Sequence, residues 1–275
     1  MTRSILITGC SSGIGADAAR TLADRGWTVF ASCRQATDCE RLTAEGFDSP
    51  QLDYDAPDSI GAALDHVLGK TGGTLDALFN NGAYAIPGAV EDLPRDALRA
   101  IFETNLVGQF DLINRVLPVM RRQGHGRIVN NSSVLGFAAM PWRGAYNATK
   151  FAMEGLTDTL RLEMSDTPVH ICLIEPGPIR TAFRRNAQKQ FARWIDWKAS
   201  ARAAQYEAEL LPRLHDHEGK SRFELPPSAV TAKLIHALEA TKPRPRYFVT
   251  TPTYGAAAMK RLLPTRASDW LSGAR

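Results

Sequence analysis

Cysteine is scarce in this chain, four in 275 residues, and none of Cys10, Cys33, Cys39 and Cys172 forms a CxxC pair. A disulfide framework is therefore not implied, no metal site is expected, and free thiols point to a reducing compartment. No apolar run approaches the roughly 20 residues that cross a bilayer. The start, Met-Thr-Arg-Ser, leads straight into a strand and does not read as a signal peptide. The expected location is the cytoplasm. Charge of one sign is also in short supply: 33 basic against 29 acidic side chains leave a net +4. That excess is too small and scattered to argue for nucleic acid, although it favours an anionic cofactor. There is no internal repeat and no low-complexity tract. With 44% hydrophobic and 23% charged residues the composition is that of a soluble globular protein, and residues 1–275 are expected to form one domain.

What is present is a recurring unit, a short apolar run followed by an amphipathic stretch. Strands are expected at Ser4–Thr8, Thr28–Cys33, Gln51–Leu52, Ala77–Phe79, Arg127–Asn130, Val169–Ile174 and Arg246–Val249. Helices are expected at Gly15–Arg25, near Asp38–Glu45, and at Ser59–Lys70, Pro94–Gln123 (broken near its start), Gly144–Met164 and Ser228–Glu239. Alternation of this kind predicts an α/β fold, a doubly wound parallel sheet of the Rossmann type with helices on both faces. Continuously apolar strands suit a sheet covered on both sides. The segment Arg180–Leu225 breaks the rhythm and is basic and aromatic (Phe183, Phe191, Trp194, Trp197, Tyr206, Phe223). From Tyr254 to Arg275 a loosely packed helix and extension are expected.

Between the first strand and first helix lies Thr8-Gly9-Cys10-Ser11-Ser12-Gly13-Ile14-Gly15. Glycines there permit a tight turn and a close approach of backbone to a pyrophosphate, and the helix start favours the anion. The spacing is GxxxGxG, not the common GxGxxG. The second strand ends in Ser32-Cys33-Arg34 with no carboxylate. A carboxylate would bind the ribose 2′-hydroxyl of NAD, whereas Arg34, helped by Ser11 or Ser12, suits the 2′-phosphate of NADP(H).

Tyr146 and Lys150 stand at i and i+4 on a predicted helix, so phenol and ammonium project into one region. A nearby cation favours the phenolate and brings tyrosine toward acid–base work. Spacing alone makes YxxxK a weak sign. Ser133, however, lies 13 residues earlier, just past a strand, and Asn105 lies in the long helix before that.

Together with the glycine turn, these residues resemble the short-chain dehydrogenase/reductase family over roughly residues 3–182 and the last strand. The matching pieces are TGCSSGIG (8–15), LDYD (52–55), NNGA (80–83), ETN (103–105), GRIVNNSS (126–133), YNATK (146–150) and EPGPIRT (175–181). The resemblance implies that Tyr146 is the general acid in reduction and base in oxidation. Lys150 would lower its pKa and hold the nicotinamide ribose, and Ser133 would orient the substrate oxygen, with Ser132 as the alternative hydroxyl. Asn105 would support a water linking Lys150 to solvent. Cofactor contacts are implied for Gly9, Ser11, Ser12, Gly13, Ile14, Gly15, Arg34, Asp53 (at the adenine), Asn80 (central sheet and adenosine ribose), Pro176, Gly177, Ile179 and Thr181.

Two features depart from the family pattern. Its usual NNAG reads Asn80-Asn81-Gly82-Ala83, and the usual apolar residue before the serine pair is Asn131. The segment 180–225 takes the place of the family's substrate lid, and its aromatics suggest an apolar partner: a steroid, retinoid, aldehyde or ketone. Packing on the core is the competing reading of those aromatics. The glycine turn and the Cys33-Arg34 strand end look like NADP-preferring hydroxysteroid and retinol dehydrogenases. The reaction implied is hydride transfer between NADP(H) and a carbonyl or alcohol. The alternative is an NADP-binding regulatory protein of the same fold without turnover. Peripheral membrane contact is not expected, and by analogy the long helices 94–123 and 144–164 would pair in a homodimer or homotetramer.

Overall fold

A computed structural model describes residues 2–215 and 223–271. The stretch 216–222 of the lid insertion and residues 272–275 of the expected tail lie outside the described residues. Six parallel strands, β1 (Ser4–Ile7), β2 (Thr28–Ala31), β3 (Ala77–Asn80), β4 (Gly126–Asn131), β5 (Val169–Pro176) and β6 (Arg246–Val249), stand in the order β2-β1-β3-β4-β5-β6. The chain winds outward from β1 to β2 and then returns to place β3 on the other side of β1. At that switch point adjoining connections leave in opposite directions, which opens a crevice at the carboxyl ends of the strands.

Alternation along each strand supplies two cores. Ile5 and Ile7 of β1, with Phe79, Val129 and Ile174, face Ala18 and Leu22 of α1 (Gly13–Asp24) and Val230 and Leu234 in the helix Ser228–Glu239. Leu6, Phe30, Leu78 and Ile128 face the other way, onto Ile60, Leu64 and Val67 of α3 (Pro57–Thr71) and Leu112 and Val116 of α5 (Gly108–Gln123). Between them run α2 (Ala36–Ala44), α4 (Arg95–Phe102) and α6 (Gly144–Glu163). The expected doubly wound fold is the one observed.

Two expectations change in detail. The Gln51–Leu52 strand is reduced to isolated parallel bridges, Phe30 to Asp48 and Cys33 to Gln51. Pro50 between them has no N–H to donate, so a continuous ladder cannot form. The helix expected over 94–123 is interrupted eight residues into its helical run by a π-turn at Glu103–Val107. Asn105 bonds both backbone groups of Tyr84 from this turn, while a Cβ on Gly108 would stand 2.2 Å from the Tyr54 carbonyl. Those close approaches pull the helix out of its regular register, and such π-turns recur at functional sites.

The insertion leaves and rejoins the body at one point: Ile179 bridges Leu225, and Arg180 N–H bonds the Leu225 carbonyl at 2.9 Å. It carries α7 (Phe183–Trp194), α8 (Ala203–Gln205) and α9 (Leu211–His215), joined by a short 3₁₀ turn and a π-turn. These pack a third cluster in which Ala187, Phe191, Ile195, Tyr206 and Leu210 meet Ala97, Ile101 and Ala145. After α10 (Ser228–Glu239) and β6, the tail forms α11 (Thr251–Leu262) and α12 (Thr265–Leu271). Helix α11 starts three residues before the expected boundary and buries Thr253 and Ala257, but Leu262 and Trp270 are 80% and 75% exposed.

Candidate active site

The carboxyl ends of β1, β3, β4 and β5 deliver the site. From β4 the chain turns through Ser132 and Ser133 into a 3₁₀ turn, where Ser133 Oγ accepts from Leu135 N–H at 3.1 Å. Helix α6 then starts at Gly144. Asn147 ties that start to the turn, donating through Nδ2 to the carbonyls of Leu135 (2.8 Å) and Ala138 (2.9 Å). This strap fixes Tyr146 against Ser133. The Ser133 hydroxyl also reaches the Pro176 carbonyl at the end of β5, at 3.5 Å.

Burial dominates the electrostatics here. It drives the Tyr146 phenol well above its ordinary value, and the Ser133 hydroxyl pulls it partly back. Lys150 is 1% exposed, and desolvation brings its ammonium down to about 7, against the charge of Glu154. Its Nζ donates to the Asn131 carbonyl at 2.7 Å and lies 5.8 Å from the centre of the Tyr146 ring. In this protein, therefore, the phenol is held protonated, and the lysine is poised near neutrality. The π-turn brings Asn105 to the same region, where Nδ2 contacts Thr149 Oγ1 at 3.3 Å. Its side chain bonds Tyr84 and Thr149, so it locks the loop after β3 to α6.

At the other end of the crevice Gly9 and Gly13 adopt φ of +70° and +60°. A Cβ on Gly15 would sit 2.4 Å from the Gly9 carbonyl, and one on Gly13 would meet the Thr181 methyl at 2.9 Å. Ser12 is the N-cap of α1 but makes no side-chain cap bond, so the first amides, Gly13 to Gly15, face the crevice uncapped. Arg34 is exposed past β2, with its guanidinium in no hydrogen bond or ion pair among the described residues. Asp53 caps its own turn through Asp55 N–H at 3.1 Å. Asn80 is fully buried, accepting from Tyr54 (2.8 Å) and donating to Asn130 (3.1 Å), so its side chain joins neighbouring strands. Gly177 cannot carry a side chain, since a Cβ would fall 2.2 Å from Thr250 Oγ1.

The site's geometry can be set beside known proteins. The short chain dehydrogenase family model matches residues 3–192. The chain belongs to that family. It is 39% identical over 98% of its length to the uncharacterized oxidoreductase YbbO of Escherichia coli K12, of which it covers 93%. Human 17-beta-hydroxysteroid dehydrogenase type 1 is 33% identical over 90% of this chain and 77% of its own. A short-chain dehydrogenase from Streptomyces avermitilis superposes with a TM-score of 0.80 at 24% identity, covering 100% of this chain and 98% of that one. The protein is thus an oxidoreductase of the short-chain dehydrogenase family, whose members use a nicotinamide cofactor.

The residues present fit such a dinucleotide. The uncapped amides at α1 suit a pyrophosphate, and the glycines let the turn fold tightly on Gly82 and Thr181 where a Cβ would clash. A further sign comes from a residue that sequence reasoning left without a role. Asn131 donates through Nδ2 to Asn81 Oδ1 at 2.9 Å, and Asn81 Nδ2 donates to the Thr8 carbonyl at 3.0 Å. Because Asn81 must point its amide nitrogen at that carbonyl, the orientation of Asn131 is fixed as well. Its Oδ1 is left buried and without a partner beside the lysine's anchor, as an acceptor for a hydroxyl of a bound group. Asn131, the polar departure from the family pattern, and Asn81, which keeps to it, are therefore one device linking β1, β3 and β4. Nothing in their local spacing signalled this.

The lid aromatics divide. Phe191, Trp197 and Trp142 each meet the Tyr206 ring at a tilt, with centres 4.7 to 6.5 Å from it, and serve packing. Phe183 is different: it is 37% exposed and meets the Tyr146 ring edge-on at 5.4 Å.

Proposed function

We propose that the protein is an NADP(H)-dependent reductase or dehydrogenase that interconverts a carbonyl and an alcohol on an apolar small molecule. The observation that carries the reading is the buried Ser133–Tyr146–Lys150 set at the mouth of a crevice whose far end presents Arg34 without a partner. Bound in the crevice, the nicotinamide would supply or accept the hydride. Ser133 holds the substrate oxygen, and Tyr146 gives its proton to that oxygen in reduction or takes it in oxidation. A phenol kept protonated by burial favours the reducing direction at neutral pH. Lys150 holds the nicotinamide ribose and restores the tyrosine's proton, with Asn105 supporting a water toward solvent. Gly9, Ser11, Ser12, Gly13, Ile14 and Gly15 cradle the phosphates, Pro176, Gly177, Ile179 and Thr181 line the nicotinamide end, and Asp53 and the Asn80 loop take the adenosine.

Arg34 supports NADP over NAD, because a planar guanidinium can grip a 2′-phosphate in two places. Phe183 supports an apolar substrate, as it offers a ring face next to the acid. Exposed Phe151, Leu156 and Leu162 on α6 and Val107 in the π-turn support pairing of two copies through this side, as a homodimer or homotetramer. The reading places the protein in the cytoplasm; among the described residues no helix is long and apolar enough to cross a membrane.

The test is cofactor oxidation across a panel of hydrophobic ketones and aldehydes, with NADPH and NADH in parallel. Turnover with NADPH is expected, and Arg34→Asp should weaken NADPH by about ten- to a hundredfold, the worth of a charge-assisted bond, while sparing NADH. Equal losses would remove the phosphate contact. A folded protein that binds NADPH and turns over nothing on the panel would favour the regulatory reading instead.

A further inference from the structure

Behind the catalytic lysine lies a cluster of buried charge that the hydride-transfer reading leaves unused. Glu154 follows Lys150 by one helical turn on α6, on the same face, and is 7% exposed; Glu175, near the end of β5, is 0% exposed. Nη1 of Arg246, on the edge strand β6, bonds both carboxylates, and its Nη2 bonds Asp158 at 2.5 Å. One arginine thus serves three acidic side chains, two of them sealed from water. Glu154 Oε1 and Glu175 Oε2 are buried with no hydrogen-bond partner among the described residues. A Cβ on Gly136 would lie 2.7 Å from Ser132 Oγ and 3.0 Å from Glu154 Oε1, which places this carboxylate directly behind the serine pair. Buried ion clusters add little net stability compared with apolar filling, so stability alone gives no account of this one.

We propose that Glu154, held by Arg246, is the buried counter-ion of Lys150, a positioning residue which keeps the ammonium charged for proton transfer at Tyr146. The inference rests on Lys150 being part of the proton-transfer centre. Glu154 is the charged neighbour that opposes the effect of burial on the lysine. Glu175 is raised well above the usual carboxylate range by burial first and by the neighbouring Glu154 second, so it adds no charge where Lys150 titrates. The groups facing this centre are Tyr146, Glu154 and Asp158 from α6, Glu175 from β5 and Arg246 from β6. Arg161 pairs with the outer side of Asp158, at 3.3 Å. From β4 and the π-turn come the neutral Asn131, Ser132, Ser133 and Asn105.

The test is a pH titration of the Lys150 Nζ signal by NMR in ¹⁵N-lysine-labelled protein without cofactor, assigned with Lys150→Arg. In Glu154→Gln the midpoint should fall by about one pH unit, a tenfold change in the charged-to-neutral ratio. The alkaline limb of the carbonyl-reduction profile should move down with it. A folded Glu154→Gln protein whose lysine titrates as in the parent would overturn the proposal. If that variant does not fold, Glu154→Met, an apolar filling of similar volume, decides: its midpoint should also fall, and an unchanged one would overturn the counter-ion role. Absence of turnover in the parent protein would count against the proposed reaction, but the NMR midpoint would still judge the counter-ion.

Discussion

On the cofactor side of the crevice, side chains serve to hold backbone; on the lid side, backbone serves to hold side chains. Thr8 Oγ1 accepts from the amides of Asn81 (2.8 Å) and Gly82 (3.2 Å) and donates to the Tyr54 hydroxyl (2.8 Å), while Gly9 and Gly15 approach so closely that no Cβ would fit. The lid is pinned differently. Tyr206, fully buried, accepts from Ala89 N–H (2.8 Å) and donates to Asp92 (2.7 Å), and its ring is sandwiched by aromatics. A wall made of backbone recognises one ligand and tolerates little change. A wall made of packed rings can be re-lined one side chain at a time, so on the proposed reading the difference separates the wall that meets the cofactor from the wall that meets the substrate.

The largest expected effect lies where the walls meet. Tyr146→Phe should lower turnover by roughly a hundred- to ten-thousandfold, the range for losing a general acid, with NADPH affinity unchanged by fluorescence titration. Retention of full activity would remove Tyr146 from the chemistry. On the cofactor wall, Gly15→Val should weaken dinucleotide binding by at least about tenfold, since the strain falls on backbone that cannot yield; near-normal affinity would break the contrast.

Lys150→Met tests what the site costs in stability. With the folded-state value lowered to about 7, the unfolded chain holds the lysine proton more tightly than the folded one does. The destabilising contribution is therefore absent above the unfolded value, near 10.4, grows as pH falls, and is complete below about 7. The variant should melt higher than the parent by about 1–4 kcal/mol at pH 7, and by less at pH 10, while losing activity. A gain that rises with pH would have the wrong sign. The smallest effect is expected at the lid: Tyr206→Phe leaves Ala89 N–H without its partner, while Asp92 keeps its bond from Ser200, and should cost about 1–3 kcal/mol. It should raise KM for substrate and leave the cofactor Kd alone; a parallel loss of cofactor binding would show that the walls are not separable.

Part of the site was legible because its key relations are short in sequence. Tyr146 and Lys150 are one helical turn apart and the glycine turn is a single loop, so spacing brought these groups forward, while the resemblance to the family supplied the roles proposed for them. The alternation of apolar and amphipathic segments likewise implied the doubly wound sheet, with only Gln51–Leu52 and the register of the 94–123 helix changing. What spacing could not show were relations between distant residues: Asn131 with Asn81, and Arg246 with Glu154 and Glu175, 92 and 71 residues away. The role of the lid aromatics was undecidable in the same way, because burial is a property of the partner surface.

By itself, then, the sequence determined the sheet, the phosphate turn and the helical placement of the tyrosine and lysine, since these follow from local periodicity, glycine conformation and i,i+4 geometry. Only the tertiary structure decided how strongly Tyr146 and Lys150 are desolvated, which charges stand behind the lysine, and which ring of the lid reaches the acid. Those depend on the exclusion of water and on Coulomb interactions across strands, and both exist only once the chain has closed on itself.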